Sequence, residues 1–434
     1  NVGLVGLSHF IRVNEKSFIK TIIGTTYTGS NYDEDTINKL TNVVTRVIEN
    51  KTDQIRYSIN TSFNSKINSK LFIKIGVLEE ILNLNLVYRN RTYTPTWLEI
   101  WNFKDYTSLL QGYGHVKYSF NEKITLNLGL RGQVLALNNS YSVEPRVGLK
   151  FALNQKNSLS IGYGMHSQMQ PTDVYFYRTL LADSTYAQTN KNLDFTRSQH
   201  FVLGYDWFPI KDWRIKAETY YQFISNVPVT KIPSSYSMLN TGAGFMPNET
   251  SYLENTGTGT NYGFELTIEK FFTKGYYALL TGSIYDSKYK GSDGVEHNTA
   301  FNGKFVYNVL IGKEFKLGKE KRNTFSIDVK FTHAGGRYFT PIDLDASIAN
   351  DRQILKGDEY AFTERNSEFL RLDFKTGFTI NSKQRKLSHS LFFDIQNVTN
   401  NKNVFALRYS SNTKSINTAY QIGFFPNFVY KLQF

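Results

Sequence analysis

The chain has 434 residues, of which 40% are hydrophobic, and fifty Lys and Arg against thirty-seven Asp and Glu give it a formal charge of +13. No run approaches the roughly 18 apolar residues of a membrane helix, and 33 Phe with 29 Tyr supply far more aromatic surface than a disordered chain carries. The absence of cysteine removes disulfides, thiolate metal sites and cysteine nucleophiles together.

The amino end, Asn1-Val2-Gly3-Leu4, shows neither an initiating Met nor the basic n-region of a signal peptide, which reads as a mature form or a fragment. A first strand is expected near 3–13, closed by the short turn Asn14-Glu15-Lys16. A long polar connection at 29–40 follows, and after Asp33-Glu34-Asp35-Thr36 the apolar residues Ile37, Leu40, Val43, Val44, Val47 and Ile48 recur at helical intervals. That spacing predicts a short helix in an external loop, with an extended arm as the alternative.

Beyond it the connections alternate between two kinds. Short basic turns fall at 65–70, Asn121-Glu122-Lys123, Asn154-Gln155-Lys156-Asn157, 209–212, Thr273-Lys274-Gly275, 316–323 and 381–388. Long connections rich in Tyr, Asn, Thr and Pro fall at 89–104, 169–194, 228–253, 289–297, 339–364 and 400–419, with a shorter member at 138–142. Between them the chain alternates with a period of two. Leu126, Leu128 and Leu130 face away from Thr125 and Asn127, and the same holds at Trp213, Ile215, Ala217 and at Phe264, Leu266, Ile268. Phe325, Ile327, Val329 and Phe331 oppose Asp328 and Lys330, while Leu370, Leu372 and Phe374 oppose Arg371, Asp373 and Lys375. Ions on one strand face and hydrocarbon on the other, with short turns on one rim and long loops on the other, predict an all-β antiparallel transmembrane β-barrel with its lipid face at Phe325 and Leu370. A soluble β-sandwich also alternates, but strands of twelve or more residues exceed its usual length.

The eight short turns carry fourteen Lys or Arg against four acids, which places most of the excess charge on turn tips. No aromatic-interleaved groove accompanies it, so nucleic acid is not the expected partner. The seven histidines show no metal-ligand spacing, and Asp343, Asp345, Asp351, Asp358 and Glu359 lack the EF-hand pattern, so no metal or other cofactor is expected. His166-Ser167 and Thr332-His333 carry no nucleophile motif, and no enzymatic activity is expected. Asn138-Asn139-Ser140, Asn248-Glu249-Thr250 and Asn397-Val398-Thr399 are turn residues here. In the loop 169–194, Tyr175, Tyr177 and Arg178 form the densest candidate ligand site, helped by 228–253 and 339–364. Tyr offers a rigid amphipathic face and Arg a fork of donors, though the same cluster also fits an aromatic girdle at the outer interface.

The terminal run Asn427-Phe428-Val429-Tyr430-Lys431-Leu432-Gln433-Phe434 alternates to the last residue. Counting back from it gives about 17 strands, an odd number, whereas single-chain bacterial barrels have even counts. The parity fits a barrel of the 22-stranded type whose first strands are missing, leaving an unpaired edge at 3–13. A porin of 16–18 strands is the alternative.

Three blocks resemble the TonB-dependent outer-membrane receptors, in the form common among Bacteroidetes. These are Asn255-Thr-Gly-Thr-Gly-Thr-Asn-Tyr-Gly-Phe-Glu-Leu-Thr-Ile-Glu-Lys270, Glu144-Pro-Arg-Val-Gly-Leu-Lys150 with Leu159-Ser-Ile-Gly-Tyr-Gly-Met-His-Ser167, and the closing strand. The resemblance covers 1–434 as the C-terminal barrel portion, and the family's plug is absent from it. It implies a barrel in the outer membrane of a Gram-negative bacterium, in contact with the lipid bilayer, that imports a scarce or bulky nutrient ligand. It also implies energy from the TonB–ExbB–ExbD system acting through the missing plug, with a surface lipoprotein as a possible further partner. A passive porin, and after it a surface-binding module or rim enzyme, are the other functions left open.

Overall fold

The computed structural model describes residues 1–434 except 39, 93, 243–248 and 385. Seventeen long strands and the three-residue Glu296–Asn298 form one 18-stranded antiparallel sheet. In chain order the long strands are β1 (Val2–Asn14), β2 (Ser17–Ile37), β3 (Val44–Lys66), β4 (Leu71–Asn90), β5 (Leu98–Ser119) and β6 (Ile124–Leu135). There follow β7 (Ser140–Ala152), β8 (Asn157–Gln168), β9 (Thr196–Trp207), β10 (Trp213–Thr230), β11 (Leu253–Thr273) and β12 (Tyr276–Lys290). The last are β13 (Phe305–Leu317), β14 (Asn323–Ala334), β15 (Phe369–Asn381), β16 (Ser388–Gln396) and β17 (Phe425–Gln433).

Each long strand pairs with its neighbour in sequence, from β1–β2 through to β16–β17. Among the described residues no ladder joins β1 to β17, and every residue of both strands is exposed. The strand count and the open edge agree with the parity argument. No described helix is long and apolar enough to cross a membrane, and crossing falls to the strands.

Local chemistry explains the short turns. At Thr273-Lys274-Gly275 both central residues have positive φ, 51° and 77°. That is the primed two-residue hairpin whose twist matches the strands it joins. A Cβ on Gly275 would lie 2.7 Å from the Glu314 carbonyl oxygen, so glycine is required there.

The described residues of 37–48 are not helical. β2 runs to Ile37 and β3 starts at Val44, with Ile37 paired to Val44. Ile37, Val43, Val44, Thr45, Val47 and Ile48 are β-branched, a composition that suits a pleated surface better than a helix. The arm is also tied by Arg46, which ion-pairs with Asp33 at 2.6 Å and with Asp35. The expected loops at 29–40 and 89–104 are largely strand, because β2–β5 reach 20 to 23 residues where about 9–11 cross a bilayer.

The register fixes the two faces. Asp328 pairs with Lys375 and Lys330 with Asp373, while Val329 pairs with Phe374 and Phe331 with Leu372. Directly paired residues share a face, so ions and hydrocarbon separate strand after strand. The polar face is the one onto which the long loops fold, and the apolar face is bare, with Val329 and Leu370 each more than a third exposed. Val329→Arg puts a charge on the lipid side at a cost of about 2–4 kcal/mol. Membrane-inserted, heat-modifiable protein is expected to fall sharply for Val329→Arg and to stay near wild type for Asp328→Leu.

Candidate functional site

The loop 169–195 turns inward and packs on the inner wall of β3–β5. Pro171 precedes α1 (Thr172–Tyr175), whose Thr172 hydroxyl donates to Gln54 Oε1 at 3.3 Å. Phe176 stacks on Phe103 with ring centroids 3.7 Å apart. Val174, Tyr175 and Phe176, all about 1% exposed, join Val47, Ile48, Leu82, Leu84, Leu86, Tyr88, Ile100 and Trp101 in one apolar cluster. Fully burying such side chains gains about 1.5–3 kcal/mol each, which is what draws a polar loop onto the wall.

β4 shows why the wall accepts it. In its lower half Ile73, Ile75 and Val77 take the lipid side and Lys74 and Gly76 the lumen side. In the upper half the outer positions become Asn83 and Asn85, and the inner ones become Leu82, Leu84, Leu86 and Tyr88. The apolar face changes sides between Val77 and Leu82 while the register with β5 continues unbroken as far as Tyr88. Below that point the outside is hydrocarbon; above it the outside is water and the inside is protein. The flip is visible in the sequence Ile-Lys-Ile-Gly-Val-Leu-Glu-Glu-Ile-Leu-Asn-Leu-Asn-Leu, and it was the available signal for an infolded loop.

The three candidate residues take different places. Tyr175 is buried, its hydroxyl accepting from Gln170 N at 3.1 Å, and burial pushes it up to about 12. Tyr177 is half-buried and raised above the ordinary phenol range by burial first and by Glu249 second. Arg178, also half-buried, ion-pairs with Glu99 and lies 4.3 Å over the Tyr186 ring, while its backbone N donates to Ile100 O at 2.9 Å. All three lie in the loop that docks on the lumen wall, away from the lipid-facing girdle. Tyr177 and Arg178 are the members with surface left to meet a ligand.

Other loop ties escaped sequence reasoning. Tyr88 OH donates to Glu249 Oε1 at 2.8 Å, and Asn190 donates to Thr250 O and accepts from Leu253 N. Asn255, the first residue of the Gly-rich block, accepts from Asp194 N and donates to the carbonyls of Asp194 and Asn226. At the foot of the loop the fully buried Glu144 accepts from Arg146 at 2.8 Å and from Gln133 and Ser167 N at 3.0 Å, with Arg131 at 3.5 Å. A desolvated carboxylate needs such partners. Gln111 extends the network to Glu80, which also pairs with Arg56. This polar belt spans β3 to β7.

The remaining candidates have structural duties. Asp343 caps α2 (Leu344–Asn350) by accepting from Ala346 N, Asp351 ends it at φ 47°, and Asp358 accepts from Ser235. No group of three potential metal ligands occurs among the described residues. His166 and Ser167 are adjacent on a strand and so point to opposite faces, and His166 meets His200 instead, ring to ring at 5.0 Å. His333 pairs with Glu368 at 2.8 Å. Asn138 accepts from Ser140 N as a turn residue, and Asn248 lies outside the described residues.

A wide antiparallel barrel with bare apolar outer face, polar inner face and infolded external loops is a transmembrane receptor or channel architecture. The sequence matches the family model described as TonB dependent receptor-like, beta-barrel, over residues 8–398, and the chain belongs to that family. Barrels of this family are outer-membrane proteins of Gram-negative bacteria that serve as receptors and transporters. Among solved structures, FpvA from Pseudomonas aeruginosa bound to heterologous pyoverdines is similar at TM-score 0.68 and 13% identity, covering 99% of this chain and 55% of that one. The ferric-catecholate import receptor Fiu from E. coli, closed form, gives 0.66 and 12%, covering 99% and 63%. The ferric yersiniabactin uptake receptor FyuA from Yersinia pestis gives 0.65 and 11%, covering 100% and 61%. At these identities the likeness is one of fold, and the chain spans less than two thirds of each of those chains. No curated protein matches the sequence.

Asp173, in the first turn of α1, is desolvated, which raises its carboxyl above the ordinary range against the opposing pull of backbone N–H groups. A raised folded-state value means its stabilising contribution is present below the unfolded carboxylate range and lost as pH rises through the folded value. Asp173→Asn is therefore expected to slow amide hydrogen exchange across 170–180 at pH 7, with the difference from wild type vanishing at acid pH.

Proposed function

We propose that the protein is the barrel of an outer-membrane receptor that binds a scarce or bulky nutrient at its external loops and upper lumen and imports it with TonB-supplied energy. In this reading the TonB–ExbB–ExbD system acts through a plug domain, and Tyr177 and Arg178 meet the ligand. Tyr175 sets their position by anchoring the loop. The observation that carries the reading is the apolar core inside the upper lumen, where Phe176 stacks on Phe103 and shares one buried cluster with Tyr175, Tyr88 and Trp101. A passive pore needs water along that path, whereas a receptor needs a built surface there. The neighbours named as ferric-siderophore importers support an iron chelate as one ligand class. The tall wall of β2–β5 also offers lateral support to a surface lipoprotein.

Uptake profiling of a gene-deletion strain tests the reading. Loss of one solute is expected, reproduced when TonB alone is removed; entry at an unchanged rate without TonB identifies a porin. With the solute known, Tyr177→Ala and Arg178→Ala in the full-length protein are expected to weaken its binding about tenfold or more, on the scale of about 1.4 kcal/mol per decade. Heat-modifiable mobility should stay intact. Unchanged affinity in both variants removes these residues from the site.

A further inference from the structure

A cavity of about 860 Å³ opens between the loops 335–368 and 397–424, on the upper inner wall. No residue of the Tyr177–Arg178 loop lines it, and Arg337, Phe369, Arg371 and Tyr420 carry no part of the reading above. Its floor is the inner-face pair Phe369 and Arg371 of β15 with Gln396 at the end of β16, and Arg337 and Tyr420 stand at its sides. Among the described residues two arginines line it and no Asp or Glu does.

Neither arginine is fully used. Arg371 commits Nε to Asp373 Oδ1 at 2.6 Å, and its terminal amino groups have no partner among the described residues. The exposed Arg337 guanidinium makes neither an ion pair nor a hydrogen bond there. Both walls, by contrast, are fixed in place. A Cβ on Gly335 would lie 1.8 Å from Gly303 O, and one on Gly336 1.8 Å from Asn366 O, so the backbones touch where only glycine fits. Arg365 ties the same junction, donating Nε to Gly336 O and Nη2 to Gly303 O, each at 3.1 Å. On the other side Asn403, 2% exposed, accepts from Leu370 N and donates to Leu370 O, both at 2.9 Å. Asn397, 1% exposed, holds the turn at Asn401 by accepting from its N at 3.0 Å and donating to its O at 2.9 Å.

We propose that this cavity binds an organic anion that carries a flat apolar ring. Arg337 and the free edge of Arg371 hold the oxyanion, and the ring lies against Phe369 and Tyr420. A planar guanidinium fork matches a carboxylate with two parallel charge-assisted hydrogen bonds. An aromatic wall supplies apolar contact at little entropic cost, and a site whose frame is already ordered loses little freedom on binding. The net positive lining selects the anion over an uncharged molecule of the same shape.

The test is equilibrium binding of phenylacetate and its uncharged isostere phenylacetamide to the purified full-length protein in detergent. Phenylacetate is expected to bind at least tenfold more tightly, with affinity falling as salt rises. Arg337→Ala deletes an exposed side chain without partners among the described residues, so the barrel should keep its heat-modifiable mobility while the preference for the acid disappears. Arg371→Gln should lower phenylacetate affinity as well, although its link to Asp373 makes Arg337→Ala the deciding variant. Equal binding of acid and amide, no saturable binding of either, or an undiminished preference in folded Arg337→Ala would overturn the proposal. None of these outcomes depends on whether a nutrient is transported.

Discussion

A backbone N–H or C=O left without a partner in hydrocarbon costs several kcal/mol, so a chain that crosses lipid must satisfy every one of them internally. The continuous ladders from β1–β2 to β16–β17 meet that demand over the whole sheet except its two edges. Everything else follows from the period of two that the ladder imposes. One face is given to lipid and must be apolar; the other is free to carry ions, amides and glycines. Val329 beside Phe374 and Lys330 beside Asp373 are the same constraint seen from its two sides.

The constraint stops at the membrane surface, and the most informative part of the molecule lies above it. There β2–β5 continue for roughly twice the length a crossing requires. Freed from lipid, β4 turns Asn83 and Asn85 outward, and inner positions of β3–β5 become the wall of a small water-excluded core. The loop 169–195 completes that core as a helix would complete a soluble sheet. The buried apolar cluster is therefore built above the lipid-facing band, from residues as far apart in sequence as Val47 and Leu253. Glu144 and its partners mark the floor of this compartment, because a carboxylate with no exposure holds Arg131, Arg146, Gln133 and the Ser167 amide to one point. Loop placement thus depends on a polar node as much as on apolar burial.

Much of this was legible in the sequence. Alternation at 125–130, 213–217, 264–268, 325–331 and 370–375 gave the right face for each strand, and the basic turns marked the right rim. What misled was residues 37–48, where i, i+3 and i+4 spacing of apolar residues imitates a helix. A bulge at Val47, opposite Glu34 and Asp35, leaves the adjacent Val47 and Ile48 both buried, which breaks the strict alternation of an extended arm, and β-branching is then the better guide. The site was less legible. Tyr175, Tyr177 and Arg178 stand out by composition, but their burial depends on Phe103, Glu99, Tyr186 and Glu249, up to about eighty residues away, and no local pattern announces those contacts.

The two inner-wall regions proposed to meet ligands differ in their chemistry. Around Arg178 one amino group is held by Glu99 and the guanidinium lies over the Tyr186 ring, so that side chain is held in a set direction with its charge matched by a carboxylate. Around Arg337 and Arg371 the frame is fixed by buried asparagines and touching glycines, while the guanidinium groups keep unspent donors. Preorganisation has been achieved by opposite means, in one case by satisfying the functional group and in the other by satisfying everything around it. Of these three arginines only Arg337 has no carboxylate partner among the described residues, so the second arrangement keeps more charge to be neutralised by what binds. On the two proposals together, a negatively charged molecule gains more against β15 and β16, where Arg337 has no carboxylate partner among the described residues, than against the loop that covers β4 and β5, where Glu99 already matches Arg178.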